Sequence, residues 1–168
     1  MPVTLETARL RLRPMTAADA GNLHRLSQSA NVNRFIGEAP LADVAAGLAV
    51  FRDRIEPQYR DHGVGRLAVE LRQGGAFAGW CGLKYLPDTD EYDLGYRLFE
   101  ELWGRGLGTE AAAAVLDWAR RARPGARIVG RALADNHASI RVLAKLGLVF
   151  HEHGRDHDGP SVVYRLLL

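Results

Sequence analysis

The sequence predicts one α+β domain spanning residues 1–168, and three observations carry that reading. A chain of 168 residues is about one domain long, with little left for a second. Its middle holds three strand-like runs joined by short turns, the pattern of an antiparallel meander. Helical and strand-like segments then alternate to the C-terminal end. Hydrophobic residues make up 47% and charged residues 25%, a balance that excludes wholesale disorder. Cys81 is the only cysteine, so no disulfide forms within the chain, and at this size none is needed to hold a core together.

In Thr4–Met15, Leu10 and Leu12 alternate with Arg9, Arg11 and Arg13, a two-residue period that predicts a half-buried strand ended by Pro14. Thr16-Ala-Ala-Asp19 has the form of a helix cap with an acid three residues on, and Leu23 and Leu26 supply the apolar stripe. Asn31–Pro40 reads as loop from its Asn, Gly and Pro content. Leu41 to about Ile55 reads as a second helix, with Val44, Leu48 and Phe51 on one face. The meander strands are Gly65–Leu71, Ala76–Leu86 and Glu91–Phe99, separated by Gln73-Gly74-Gly75 and Pro87-Asp88-Thr89-Asp90. An alanine-rich helix from Gly106 to about Ala122, a strand Arg127–Leu133 and a helix Asn136–Leu146 stopped at Gly147 follow. Two strands, Leu148–His153 and Ser161–Leu168, close the chain around Asp158-Gly159-Pro160.

With 22 basic and 20 acidic residues the net charge is +2, too balanced for a nucleic-acid grip by charge alone. No apolar run approaches the ~18 residues of a membrane span, and Met1-Pro2-Val3-Thr4 lacks the layout of a secretion signal, so the expected location is cytoplasmic. His151, Glu152, His153, Asp156, His157 and Asp158 match no strong metal spacing and read as an exposed polar hairpin, so no metal is expected. Cys81 reads as a small core residue.

The strongest local signal is the run from Tyr96 to Ala111, where a strand enters a loop with glycines at 104, 106 and 108 and a helix begins at once. Alternate glycines allow successive N–H groups to converge on one point, and the helix adds its unpaired amides and positive dipole end. Arg105 brings a cation and Thr109 a hydroxyl, which suits a pyrophosphate. Gly106-Leu-Gly108-Thr-Glu-Ala111 also satisfies the dinucleotide pattern GxGxxA, so a nucleotide-dependent oxidoreductase is an alternative. Against it, Glu100–Trp103 separate strand from glycine, the preceding strands form a meander, and only Asp135 stands for the ribose-binding acid. In the second informative stretch Asn136 caps a helix and Ser139 stands in its first turn, two polar groups at the mouth of a possible cleft.

Together these stretches resemble the GNAT superfamily of N-acetyltransferases. WGRGLGTEA at 103–111 is similar to the acetyl-CoA pyrophosphate loop, and NHASIRVLAKLGL at 136–148 to the NxxSxxxxxKxGF segment. LETARLRLRPMTAADA at 5–20, Asn31–Gly37, Phe77–Leu83 and Asp93–Leu98 resemble the branch that acetylates the N-terminal amines of ribosomal proteins, a branch that also contains enzymes for small amines.

The resemblance implies a mixed, mostly antiparallel sheet with splayed middle strands and about four helices. It implies acetyl-CoA as co-substrate, no metal, and an amine acceptor, a protein N-terminus or a small molecule; the oligomeric state, monomer or homodimer, is left open by the sequence. Leu98 would pair with the pantetheine arm, the amides of Arg105, Gly106, Leu107, Gly108 and Thr109 would hold the pyrophosphate, and Asn136 would bond the pantetheine amide. Asp93 is the first candidate base, with Glu91 and Glu70 behind it; Ser139 is the candidate proton donor, because the family's tyrosine position is Leu143 here. Arg34, Phe35 and the Leu41–Ile55 helix would line the acceptor side. A catalytically inactive acyl-CoA-binding regulator remains the other alternative.

Overall fold

The computed structural model describes residues 3–35, 38–156 and 158–168; Met1, Pro2, Ile36, Gly37 and His157, each part of an expectation above, lie outside them. The expected Thr4–Met15 strand folds back on itself as a small hairpin, β1 (Leu5–Glu6) and β2 (Leu10–Pro14), with Leu5 opposite Leu12. The Thr7 hydroxyl closes the turn by accepting the Leu10 N–H at 2.9 Å.

A turn at Ala17–Asp19 leads into α1 (Ala20–Leu26). The stretch expected to be loop contains one helical turn, α2 (Ala30–Asn33), whose cap Ser29 accepts from the Val32 N–H. α3 (Val44–Val50) starts on the Asp43 carboxylate and runs on through π-helical turns at Phe51–Ile55 and Gln58–His62. The sequence predicts an end near Ile55, ahead of Pro57. The chain stays helical through Pro57, whose backbone is α-type at φ −59° between the two π-helical turns.

The meander forms as expected: β3 (Arg66–Leu71), β4 (Phe77–Leu86) and β5 (Glu91–Leu98). Then come α4 (Leu107–Ala122), β6 (Arg127–Leu133), α5 (His137–Lys145) and the hairpin β7 (Val149–Asp156) and β8 (Gly159–Leu167). The eight strands make one sheet in the order β1-β2-β3-β4-β5-β6-β8-β7. Every neighbouring pair is antiparallel except β5 and β6. That arrangement removes the dinucleotide-binding alternative, which needs a parallel sheet wound with helices.

Period-two alternation sorts the side chains onto two faces. Leu10, Leu12, Val69, Cys81, Leu83, Leu94 and Leu98 share one face and pack beneath α4, which buries Leu107, Ala111, Ala112, Val115, Leu116 and Ala119. The alanines let the helix axis approach the sheet. On the other face Met15, Leu23, Phe51, Ile55 and Ala68 form a smaller core under α1 and α3. The β2 arginines therefore do not all face water: Arg13 is drawn into ion pairs with buried Asp19 at 2.8 Å and Glu70 at 2.7 Å. Among the described residues, no helix is long and apolar enough to cross a membrane.

Candidate active site between the splayed strands

β5 and β6 meet only at Tyr92 opposite Ile128 and Asp93 opposite Val129, and beyond those two rungs they diverge. On its other side β5 is paired along its whole length with β4. The Phe99 N–H donates to Ala78 O at 3.0 Å. Since antiparallel partners bond at alternate residues, Leu98 and Tyr96 turn their backbone groups toward the gap. One of these is already used: Trp103 Nε1 donates to Leu98 O at 2.9 Å, tying the following loop to the strand end.

That loop makes one helical turn at Glu100–Leu102, and both Gly104 and Gly106 adopt φ of +75°, a left-handed conformation that favours glycine. α4 then starts, and its first intrahelical bond runs from the Glu110 N–H to Gly106 O at 3.0 Å. The amides of Leu107, Gly108 and Thr109 precede that bond and lack intrahelical partners. Leu107 is buried, so its side chain anchors the turn while Arg105 stands exposed. A Cβ on Gly108 would lie 2.9 Å from the Tyr96 ring, so only glycine fits between helix start and strand.

Glu110, which the sequence does not mark, fixes this loop from behind. Its carboxylate accepts from Thr7 Oγ1 at 2.5 Å, Arg9 N at 3.0 Å and Arg9 Nε at 2.7 Å, while Arg9 Nη1 reaches Arg105 O at 2.9 Å. Its acidity is raised: burial opposes ionisation, but the Thr7 and Arg9 hydrogen bonds outweigh it and hold the carboxyl below its usual range. Glu110→Ala should lower stability by about 1–2 kcal/mol in a urea titration, a figure reduced for the half-exposed Arg9.

Across the gap, Asn136 Oδ1 caps α5 by accepting the Ser139 N–H at 3.1 Å, so a hydrogen bond that Asn136 gives a ligand comes from Nδ2. Ser139 Oγ lies 3.3 Å from the Tyr96 hydroxyl. Leu143 is buried against Gly130, where a Cβ would come within 2.4 Å of Leu143 Cδ2, and belongs to the core. Tyr96 is the residue sequence reasoning missed. Alternation along β5 puts it on the face of Leu94 and Leu98, and its partner Ser139 comes from α5, 43 residues away.

The opposite sheet face holds the carboxylates. Asp93 sits at the fork, its carboxylate and carbonyl both bonded by Arg66, whose guanidinium also bonds Gly82 O. The guanidiniums of Arg66 and Arg97 both lie over the Trp80 ring, at 5.1 and 5.4 Å from its centre. Arg97 and Arg54 each reach Glu38 at 3.1 Å. Burial opposes Glu38 ionisation, but these two arginines hold its carboxyl below the usual range. Glu91 is buried on Arg165 at 2.7 Å, and Glu70 is held by Arg13 two strands away. Of the three carboxylates singled out by sequence, Asp93 alone stands where the strands part. Arg34 lies over Phe35 and 3.5 Å from Asp135, closing the α2 side toward α5.

On β7, His151, Glu152 and His153 are exposed; among the described residues no three His, Cys, Asp or Glu side chains are placed to hold a metal ion. Cys81 is buried in the core, where burial pushes its thiol up to about 12.

Comparison with known proteins agrees with this geometry. The acetyltransferase (GNAT) domain family matches residues 9–149. The uncharacterized protein YkkB of Bacillus subtilis is 30% identical over 107 residues, a match that spans 62% of each chain. An acetyltransferase structure from Agrobacterium tumefaciens superposes with a TM-score of 0.81 at 28% identity, covering 99% of this chain and 95% of that one. RimL, a ribosomal-protein α-N-acetyltransferase solved with coenzyme A, shares the fold with a TM-score of 0.85 at 17% identity, over 99% and 98% of the two chains. With a family match over residues 9–149 and a sheet that forks between β5 and β6, the chain belongs to the GNAT acetyltransferase family.

Proposed function

We propose that the protein transfers the acetyl group of acetyl-CoA to a primary amine by direct attack in a ternary complex. The observation that carries this reading is the glycine turn at 104–108, which presents unpaired α4 amides beside the unpaired edge of β5. The first suits a pyrophosphate and the second an extended amide chain. Acetyl-CoA supplies an activated thioester; the chain's residues orient it and move protons. The amides of 105–109 hold the pyrophosphate, and the Leu98 N–H and Asn136 Nδ2 pair with the pantetheine arm, Leu98 O being held by Trp103. The β5 amides turned into the gap donate to the carbonyl oxygen as charge develops there. Asp93 accepts the ammonium proton through water, because an alkylammonium has no lone pair until it loses one. Ser139 donates to the leaving sulfur.

The acceptor side lies under α1–α3, around Trp80, Arg97 and Glu38. RimL's own name gives a ribosomal protein as its acceptor, which supports a protein amino terminus for this chain, with small-molecule amines as the other class. The single buried cysteine suits the cytoplasm, and the chain acts as monomer or homodimer.

The test is free-thiol release from acetyl-CoA across short peptides, polyamines and aminosugars. Asp93→Asn should lower kcat by about 100-fold and Ser139→Ala by about tenfold or less, a thiol being a good leaving group. Full activity in both variants would remove the two catalytic assignments. Tight acetyl-CoA binding without thiol release against any amine would establish the regulator instead.

A further inference from the structure

We propose that Tyr96 is the proton reservoir for the leaving thiol, acting through Ser139. The inference rests on the acetyl-transfer reading and adds a positioning residue to it. Three observations carry it. The Tyr96 hydroxyl is 3.3 Å from Ser139 Oγ, the two forming a pair that joins β5 to the first turn of α5 across the gap. The Tyr96 ring packs against Gly108, directly beneath the amides that open α4, so ring and cradle are fixed to one another. Alternation puts Tyr96 on the α4 face of β5 and Asp93 on the opposite face, three residues or about 10 Å apart along the strand.

The two faces thereby divide the chemistry. A proton leaves the amine on the Asp93 side and another arrives at sulfur on the Tyr96 side, with the reacting carbon at the edge between them. As the amine nitrogen bonds the acetyl carbon, the carbon–sulfur bond breaks and its electron pair goes to sulfur. Ser139 Oγ gives that thiolate its proton, Tyr96 gives its phenol proton to Ser139, and water restores the phenol. Of the two protons the ammonium gives up, one passes through water to Asp93 before attack and is released to solvent. The other leaves through water after attack and replaces the one that water gives the phenol, so the net products are amide, thiol and one solvent proton.

The groups facing Tyr96 favour a protonated phenol. Cys81 lies directly opposite on β4 and is uncharged at neutral pH, Gly108 comes from α4, and Ser139 from α5. Burial pushes the phenol up, beyond what the Ser139 bond takes back, so it stays a donor.

The experiment compares wild type, Tyr96→Phe, Ser139→Ala and the double variant in steady-state thiol release, alongside ultraviolet titration of bound CoA against bound desulfo-CoA. Phenylalanine keeps the ring that packs on Gly108, and the titration requires only that the variant bind CoA. Tyr96→Phe should lower kcat about tenfold with KM for acetyl-CoA within twofold, and the double variant should be no slower than the slower single one. The bound CoA thiol should ionise at higher pH in Tyr96→Phe than in wild type, because a thiolate has lost its relay of donors. An unchanged thiol titration, a loss expressed only in KM, or multiplicative single effects would overturn the relay while leaving acetyl transfer intact. Failure of wild type to release thiol at all would instead fall on the proposed function.

Discussion

Replacing Gly108 with valine is expected to weaken acetyl-CoA binding by at least about 100-fold, or roughly 2.7 kcal/mol. The added Cβ alone would sit 2.9 Å from Tyr96 Cε2 and 3.2 Å from Cδ2. One of two things must yield. Either the first turn of α4 lifts from β5, and the amides of Leu107–Thr109 lose their convergence, or the Tyr96 ring swings into the gap the pantetheine arm needs. Both routes damage the same site, so calorimetric titration with CoA should show the loss directly. Gly21→Ala is the matched control: nothing lies within 4 Å of its Cβ, it sits in α1, and it should leave CoA affinity unchanged while helping the helix slightly.

The largest effect on stability is expected at Asp19→Ala, about 3 kcal/mol. For a domain of this size that is a fall in Tm of roughly 6–12 °C. Asp19 is 2% exposed, bonded by both terminal nitrogens of Arg13 at 2.8 and 2.9 Å and by the Thr16 N–H at 2.9 Å. Removing it leaves the half-buried guanidinium with Glu70 as its remaining carboxylate partner and frees the turn that starts α1. Burial opposes ionisation of Asp19, yet the Arg13 hydrogen bond, the Thr16 amide and the Arg13 charge together hold its carboxyl below the usual range. A depressed folded value means the contribution is complete above the unfolded value of about 3.9 and disappears as pH falls through the folded one. The gap in Tm between wild type and Asp19→Ala should therefore be constant near neutrality and shrink below about pH 4. Thermal melts across that range check the sign.

Local chemistry was legible in the sequence wherever the residues that act together are near neighbours. The glycines at 104, 106 and 108 and the Asn136–Ser139 cap each fit within a few residues, and Tyr96 touches both stretches, its ring against Gly108 and its hydroxyl 3.3 Å from Ser139 Oγ. What escaped depends on distant strands meeting. Arg66 and Asp93 are 27 residues apart, Tyr96 and Ser139 are 43, and Glu110 meets Thr7 across 103. No periodicity within one segment reports such a pairing; the register between segments does. The alternation in Leu10–Pro14 shows which side chains share a face, but nothing within that segment announces that α1 and α3 cover the arginine side. The helix expected to end near Ile55 runs on through Pro57 to His62, a continuation that no local signal in that stretch announces.

The two-rung join at Tyr92 and Asp93 also makes the sheet resemble a book with a very short spine. One leaf holds β1 to β5 and the other β6, β8 and β7, and the spine alone is too brief to set the angle between them. That angle is left to the covers, where α4 leans on the first leaf and touches α5 on the second. Residues along the α4–α5 seam, where the two covers touch, thus help to hold the pages at their angle.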